Sequence, residues 1–122
     1  MALTKEEKEI RQILIDVASK GLTITYTNLC YRAGLELDMQ NRQHASYLGD
    51  LIGNISDYEV KYGRPMLSSV VLTKKGYEGN GFFRLAEELF DRSISKQEEK
   101  KFQNEMIAQT HLYWETHTDE TD

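Results

Sequence analysis

A single proline, Pro65, interrupts the 122 residues, and Gly63 and Arg64 stand before it. Proline lacks a backbone donor and drives the preceding residue out of the helical region, while a nearby glycine accepts the left-handed turn that ends a helix. Gly63-Arg64-Pro65 therefore separates two chemistries. Upstream, over residues 40–62, Ala45, Leu48, Leu51, Ile52 and Ile55 recur at helical spacing, followed by Tyr58 and Tyr62. Gly49 and Gly53 interrupt this run, each at roughly 1 kcal/mol relative to alanine, so one kinked helix or two are expected. Downstream, residues 66–73 are apolar and β-branched and read as a strand.

The flanking segments carry their own punctuation. Thr4 and Glu7 form a capping-box pattern ahead of Ile10, Ile13, Leu14 and Val17, and Gly21 is placed to end that helix. Leu22-Thr23-Ile24 reads as a short extended piece. Residues 27–33 read as a second helix, capped by Thr25 or Thr27 and stopped by Gly34, with Tyr26, Leu29 and Cys30 facing inward. Residues 74–81 hold three glycines and are turn chemistry. Phe82-Phe83 then starts a second strand or passes straight into a helix over residues 84–90. Ser95 and Glu98 form another capping box, opening a helix of about twenty residues with Phe102, Met106, Ile107, Tyr113 and Trp114.

This order predicts a mainly helical α+β fold: a winged-helix-like three-helix unit, a β-hairpin wing and a long C-terminal helix. The expected division is a domain over residues 1–92, a helix over 93–117 and a disordered acidic tail over 118–122.

Hydrophobic residues make up 39% of the chain, enough for one modest core. No apolar run reaches the length of a membrane span, and the first residues lack the apolar stretch of a signal peptide. One cysteine, Cys30, permits no internal disulfide, which suits a cytoplasmic location. Net charge is -5. Residues 1–92 carry 12 Lys and Arg against 13 Asp and Glu, whereas residues 93–122 carry 3 against 7. The body is nearly neutral and the tail acidic, unlike a strongly basic nucleic-acid binder.

Thr25-Tyr26-Thr27-Asn28-Leu29, Ser46-Tyr47-Leu48-Gly49-Asp50-Leu51-Ile52-Gly53 and Pro65-Met66-Leu67-Ser68-Ser69-Val70-Val71 resemble three segments of the winged-helix module in alkylguanine-DNA alkyltransferases and alkyltransferase-like proteins. The resemblance covers roughly residues 22–75 and implies that fold. The family's nucleophilic cysteine would fall near Met66 with no histidine after it, and its duplex-inserting arginine at Ser46. Alkyl transfer, which needs a low-pKa thiol beside a base, and base flipping are therefore not expected. Tyr26-x-x-Leu29, Tyr58-Glu59, Gly63-Arg64-Pro65-x-Leu67-Ser68, Gly79-x-Gly81-Phe82-Phe83 and Tyr113-Trp114 also resemble a group of small bacterial and phage proteins, a likeness that implies no activity.

No residue pattern demands catalysis or a cofactor. His44, His111 and His117 lack the spacing of a metal site, which needs about four converging ligands. Glu6-Glu7-Glu9, Glu87-Glu88 and Glu98-Glu99 read as solvated helix faces, and Asp57 and Glu59 lie near the expected bend without a nucleophile. The three glycines Gly76, Gly79 and Gly81 read as a hairpin tip rather than a phosphate cradle. Two acid-free stretches stand out instead. One spans Met39 to Gly49 and holds Arg42, His44 and Tyr47; the other spans Val60 to Tyr77 and holds Lys61, Arg64, Lys74 and Lys75. If they fold side by side, they form a basic face for DNA, with Arg42, His44 and Tyr47 toward the groove and the lysines and Arg64 on the backbone. The alternative is a protein-interaction module, such as a phage or mobile-element accessory factor acting on a host protein. It would use the final helix, where Phe102, Met106, Tyr113 and Trp114 would contact a host partner or a second copy.

Overall fold

The protein is described by a computed structural model covering residues 2–79 and 81–118. Five helices, α1 (Lys5–Ser19), α2 (Tyr26–Ala33), α3 (Arg42–Lys61), α4 (Phe82–Phe90) and α5 (Glu99–Thr116), surround two short strands, β1 (Ile24–Thr25) and β2 (Val71–Leu72). The fold is mainly helical α+β. The expected tail, apart from Thr118, lies outside the described residues.

Helix ends follow their caps. Thr4 and Glu7 close a reciprocal box: Glu7 N–H donates to Thr4 Oγ1 at 3.1 Å and Thr4 N–H to Glu7 Oε1 at 2.9 Å. Ile10, Leu14, Val17 and Ala18 bury the inner stripe of α1. Thr25 is the cap that α2 uses, accepting from Asn28 N–H at 3.1 Å. Gly34, at φ +69°, ends that helix with Leu35 N–H donating back to Cys30 O at 2.9 Å. Asn41 caps α3 through Gln43 and His44 N–H. α3 is one continuous helix of 20 residues, so the two glycines inside it break nothing. Gly63, at φ +76°, is what turns the chain out of α3, two residues before the proline.

The 66–73 segment departs from the expected strand. Residues Leu67–Val70 form a 3-10 turn, and only Val71–Leu72 are extended. Side chains hold this turn from neighbouring helices. Ser56 Oγ accepts from Ser68 N–H at 2.9 Å, and Thr110 Oγ1 donates to Met66 O at 3.2 Å and lies 3.0 Å from Ser69 Oγ. Local hydroxyl bonds thus replace ladder bonds that a strand here would have sought. β2 pairs in parallel with β1, Ile24 opposite Val71 and Thr25 opposite Leu72. The hairpin feature is a single antiparallel bridge, Leu72 to Glu78, closed by Thr73 N–H donating to Tyr77 O at 2.8 Å. Phe82-Phe83 is the first turn of α4, the second of the two outcomes expected for it.

The core gathers α1, α2, α3, the 3-10 turn and Trp114 of α5. A second cluster, Met66, Phe82, Ala86, Ile94 and Met106, joins α4 to α5. α5 packs along α1 and the 3-10 turn, so it belongs to the body rather than standing off as a free arm.

Candidate ligand-binding cleft

One face of α3 is built from small and polar residues. Arg42, Ser46, Gly49, Gly53 and Asp57 follow one another at three- to four-residue steps, which places them along one side of the helix. Opposite this face runs a strap, described over residues 73–79 and 81–82, and the start of α2 and the 37–40 turn close the near end. The space between is an open cleft of about 1540 Å³. A Cβ added at Gly49 would meet nothing within 4 Å, so this glycine keeps the cleft wide rather than allowing close packing.

The lining is unevenly charged. It holds Asp38, Asp50, Asp57, Glu78 and Glu88 along with Arg42 and Lys74. Asp57 is paired with Lys61 Nζ at 3.0 Å.

Glu78 is the unusual member. It is 9% exposed, and among the described residues neither carboxyl oxygen has a hydrogen-bond partner. Burial pushes this carboxyl up to about 9, with the Lys100 charge pulling weakly the other way. Its backbone is fixed firmly: Glu78 N–H donates to Gln103 Oε1 at 3.2 Å, while Gln103 Nε2 donates to Gly76 O at 3.0 Å. Beside it stands Tyr26, whose hydroxyl is pushed up to about 12, chiefly by burial and then by the Glu78 charge, while a hydrogen bond with the Gly79 backbone opposes the shift. Gly79 must be glycine, because a Cβ there would collide with the Tyr26 hydroxyl. Glu78 is thus a protonated carboxyl at neutral pH, a hydrogen-bond donor and acceptor in the wall of a cleft.

The expected basic face is not assembled as a unit. Arg42 and Lys74 line the cleft, and exposed Lys75 follows Lys74 in the strap. His44 is half-buried, its Nδ1 accepting from Asp38 N–H at 2.9 Å, so it braces the 38–41 turn. Tyr47 points to α1, its hydroxyl donating to Glu6 at 2.6 Å. Lys61 ends α3, about 28 Å from Arg42 at the usual helical rise. Arg64 is buried, with its Nε 2.6 Å from Glu59 Oε1, and Arg11 Nε is 2.6 Å from Glu59 Oε2. Tyr62 and Tyr58 lie under the Arg64 guanidinium at 5.0 and 5.7 Å. Arg64 is therefore a core cation and reaches no surface ligand.

The residues expected to meet a partner on the last helix are also turned inward. Met106 and Trp114 are buried. Phe102 stacks among Phe82, Phe83 and Phe90, and Tyr113 lies edge-on to Trp114 and flat on His117 at 3.9 Å.

Other chemistry-bearing groups are dispersed. Cys30 is buried, and that burial pushes its thiol up, away from thiolate reactivity. Among the described residues no three His, Cys, Asp or Glu side chains converge as a metal site, and no helix is long and apolar enough to cross a membrane. Sequence reasoning placed Glu78 in a hairpin turn; its backbone is held by Gln103, twenty-five residues away, and no local signal announces that contact. Compared with protein-family models, with curated proteins and with solved structures, the chain matches none.

Proposed function

We propose that the protein is a binding module rather than an enzyme, and that the cleft between α3 and the 73–82 strap takes a positively charged segment of a partner protein. The observation that carries this reading is the lining: besides the neutral Glu78, four carboxylates, Asp38, Asp50, Asp57 and Glu88, stand against two basic side chains, Arg42 and Lys74. Such a field attracts a cationic chain and repels a polyanion. The size agrees. At about 1540 Å³ the cleft exceeds the roughly 300–1,000 Å³ of small-molecule pockets, and a peptide of several residues fits its open form. This reading keeps the idea of an interaction module and moves the contact from α5, whose aromatic residues are packed inward, to the cleft.

Two finer descriptions belong to the same proposal. The scaffold is winged-helix-like, supported by the unit of α1, α2 and α3 and by the bridged turn after β2. Its location is the cytoplasm, supported by a lone, buried cysteine.

A second reading, association with DNA, rests on a specific observation. Arg42 and Lys74 line the same cleft, exposed Lys75 follows Lys74 in the chain, and, among the described residues, none of the three is in an ion pair. Titration of a labelled oligolysine peptide and of duplex DNA at low salt separates the two. Cleft recognition predicts that the peptide binds and that Gly49→Leu, which projects a side chain into open space, weakens it. No peptide binding, or equal binding by Gly49→Leu, overturns it. DNA binding that is lost in an Arg42→Ala, Lys74→Ala, Lys75→Ala triple variant would favour the second reading instead.

A further inference from the structure

Glu78 poses a question that packing does not answer. A fold that buries a polar group normally supplies a partner, and an exception calls for a cause. Here the two carboxyl oxygens are both without one among the described residues, although the backbone on either side is bonded. A glutamine at this position would fill the same space without the cost of a buried acid. The groups that face this carboxyl come from two elements: Tyr26 from the start of α2 and Lys100 from α5. Lys100 Nζ is directed at Gly76 O, 3.5 Å away, and not at Glu78.

Resting on the reading of the cleft as a receptor for a cationic segment, we infer that Glu78 is the receptor for one arginine side chain of that segment. Three features select arginine over lysine. Both carboxyl oxygens lack a partner among the described residues, and a guanidinium offers two parallel N–H donors where an ammonium is a single point of charge. Tyr26, which lines the cleft and is half-buried, presents an aromatic ring suited to a flat cation. The buried position disfavours a strongly hydrated ammonium more than a weakly hydrated guanidinium.

Reaching the carboxyl requires residues 76–79, held to α5 through Gln103 and Lys100, to give way outward. A small outward movement exposes the carboxyl to the cleft. Binding then breaks the Glu78 O–H bond, the proton leaves to buffer, and the carboxylate accepts two guanidinium N–H bonds. Charge balances, since one cation enters and one proton departs.

The probe is an end-blocked Lys-Gly-Arg-Gly-Lys peptide, with counterparts carrying lysine or the uncharged isostere citrulline at the centre. Calorimetry at pH 7.5 in two buffers of different ionisation enthalpy reads affinity and protons together. The arginine peptide is expected to bind with release of close to one proton, and the citrulline peptide with none. Glu78→Gln, which keeps shape and removes the titrating group, is expected to weaken the arginine peptide at least about tenfold and to abolish proton release. Equal affinity for Glu78→Gln, or binding without proton release, overturns the arginine receptor while leaving the cleft reading intact, provided Gly49→Leu still blocks the peptide. If all three peptides fail to bind, or bind Gly49→Leu unchanged, the cleft reading itself falls.

Discussion

Glu59 and Glu78 are both buried carboxylates, and the molecule treats them in opposite ways. Glu59, fully buried on α3, lies between Arg11 and Arg64, with Tyr58, Tyr62 and Trp114 around the guanidiniums. Glu78 is nearly as buried, stands in a strap that lines the cleft, and among the described residues has no partner for either oxygen. The first arrangement ties α1 to the end of α3 and is satisfied within the chain. The second holds a neutral acid at a cleft wall. A buried charge with its partners in place is a structural fixture, whereas a buried acid without them is a site awaiting one.

The largest expected effect breaks the first member of the pair. Glu59→Ala leaves two guanidiniums in the core without their shared carboxylate, and chemical denaturation should show a loss of about 3–5 kcal/mol. A loss near zero would mean that the arginines find other acceptors and that the triad is ornamental.

Glu78→Gln should act in the reverse direction. The carboxyl is raised from 4.5 to about 9 in the folded chain. The folded state therefore holds a proton that the unfolded chain gives up, and the stability from this group, complete below about pH 4.5, declines as pH rises toward 9. Glutamine removes that slope. The variant should be more stable than the parent by roughly 2 kcal/mol at pH 7, with the gap widening toward pH 9 and closing toward pH 4. Parallel pH profiles for the two proteins would contradict the buried, neutral state.

The smallest effect concerns the glycines beside these acids. At Gly49 an added methyl meets only open space, so Gly49→Ala should gain about 1 kcal/mol of helix propensity. Gly79→Ala should instead destabilise the strap, because its methyl would occupy the position of the Tyr26 hydroxyl. Thermal unfolding of both variants compares a glycine that shapes a cleft with one that seals a contact.

Much of the scaffold was legible because it is local. Thr4, Thr25, Gly21, Gly34 and Gly63 act within one helical turn of themselves, and the apolar stripe of α1 needs only its own spacing. The site was not legible for the opposite reason. Arg64 looks like a surface base beside a proline until Arg11, Glu59 and two tyrosines enclose it, and Arg11 lies 48 residues from its glutamate. The strand expected at 66–73 was replaced by a 3-10 turn because hydroxyls on α3 and α5 satisfy its backbone. The basic face is broken at two residues: Lys61 lies at the far end of a 20-residue helix from Arg42, and Arg64 is buried against Glu59. What survived was Arg42 and Lys74, at the mouth of a cleft whose acids come from four separate segments.

The direct test of the account is the side-chain carboxyl signal of Glu78, followed by carbon-13 NMR at pH 7 in the free protein and after addition of the end-blocked Lys-Gly-Arg-Gly-Lys peptide. The account predicts a protonated signal in the free protein that moves to the ionised position as the peptide saturates. A carboxyl already ionised before any peptide is added, titrating near 4.5 like an exposed glutamate, would contradict it.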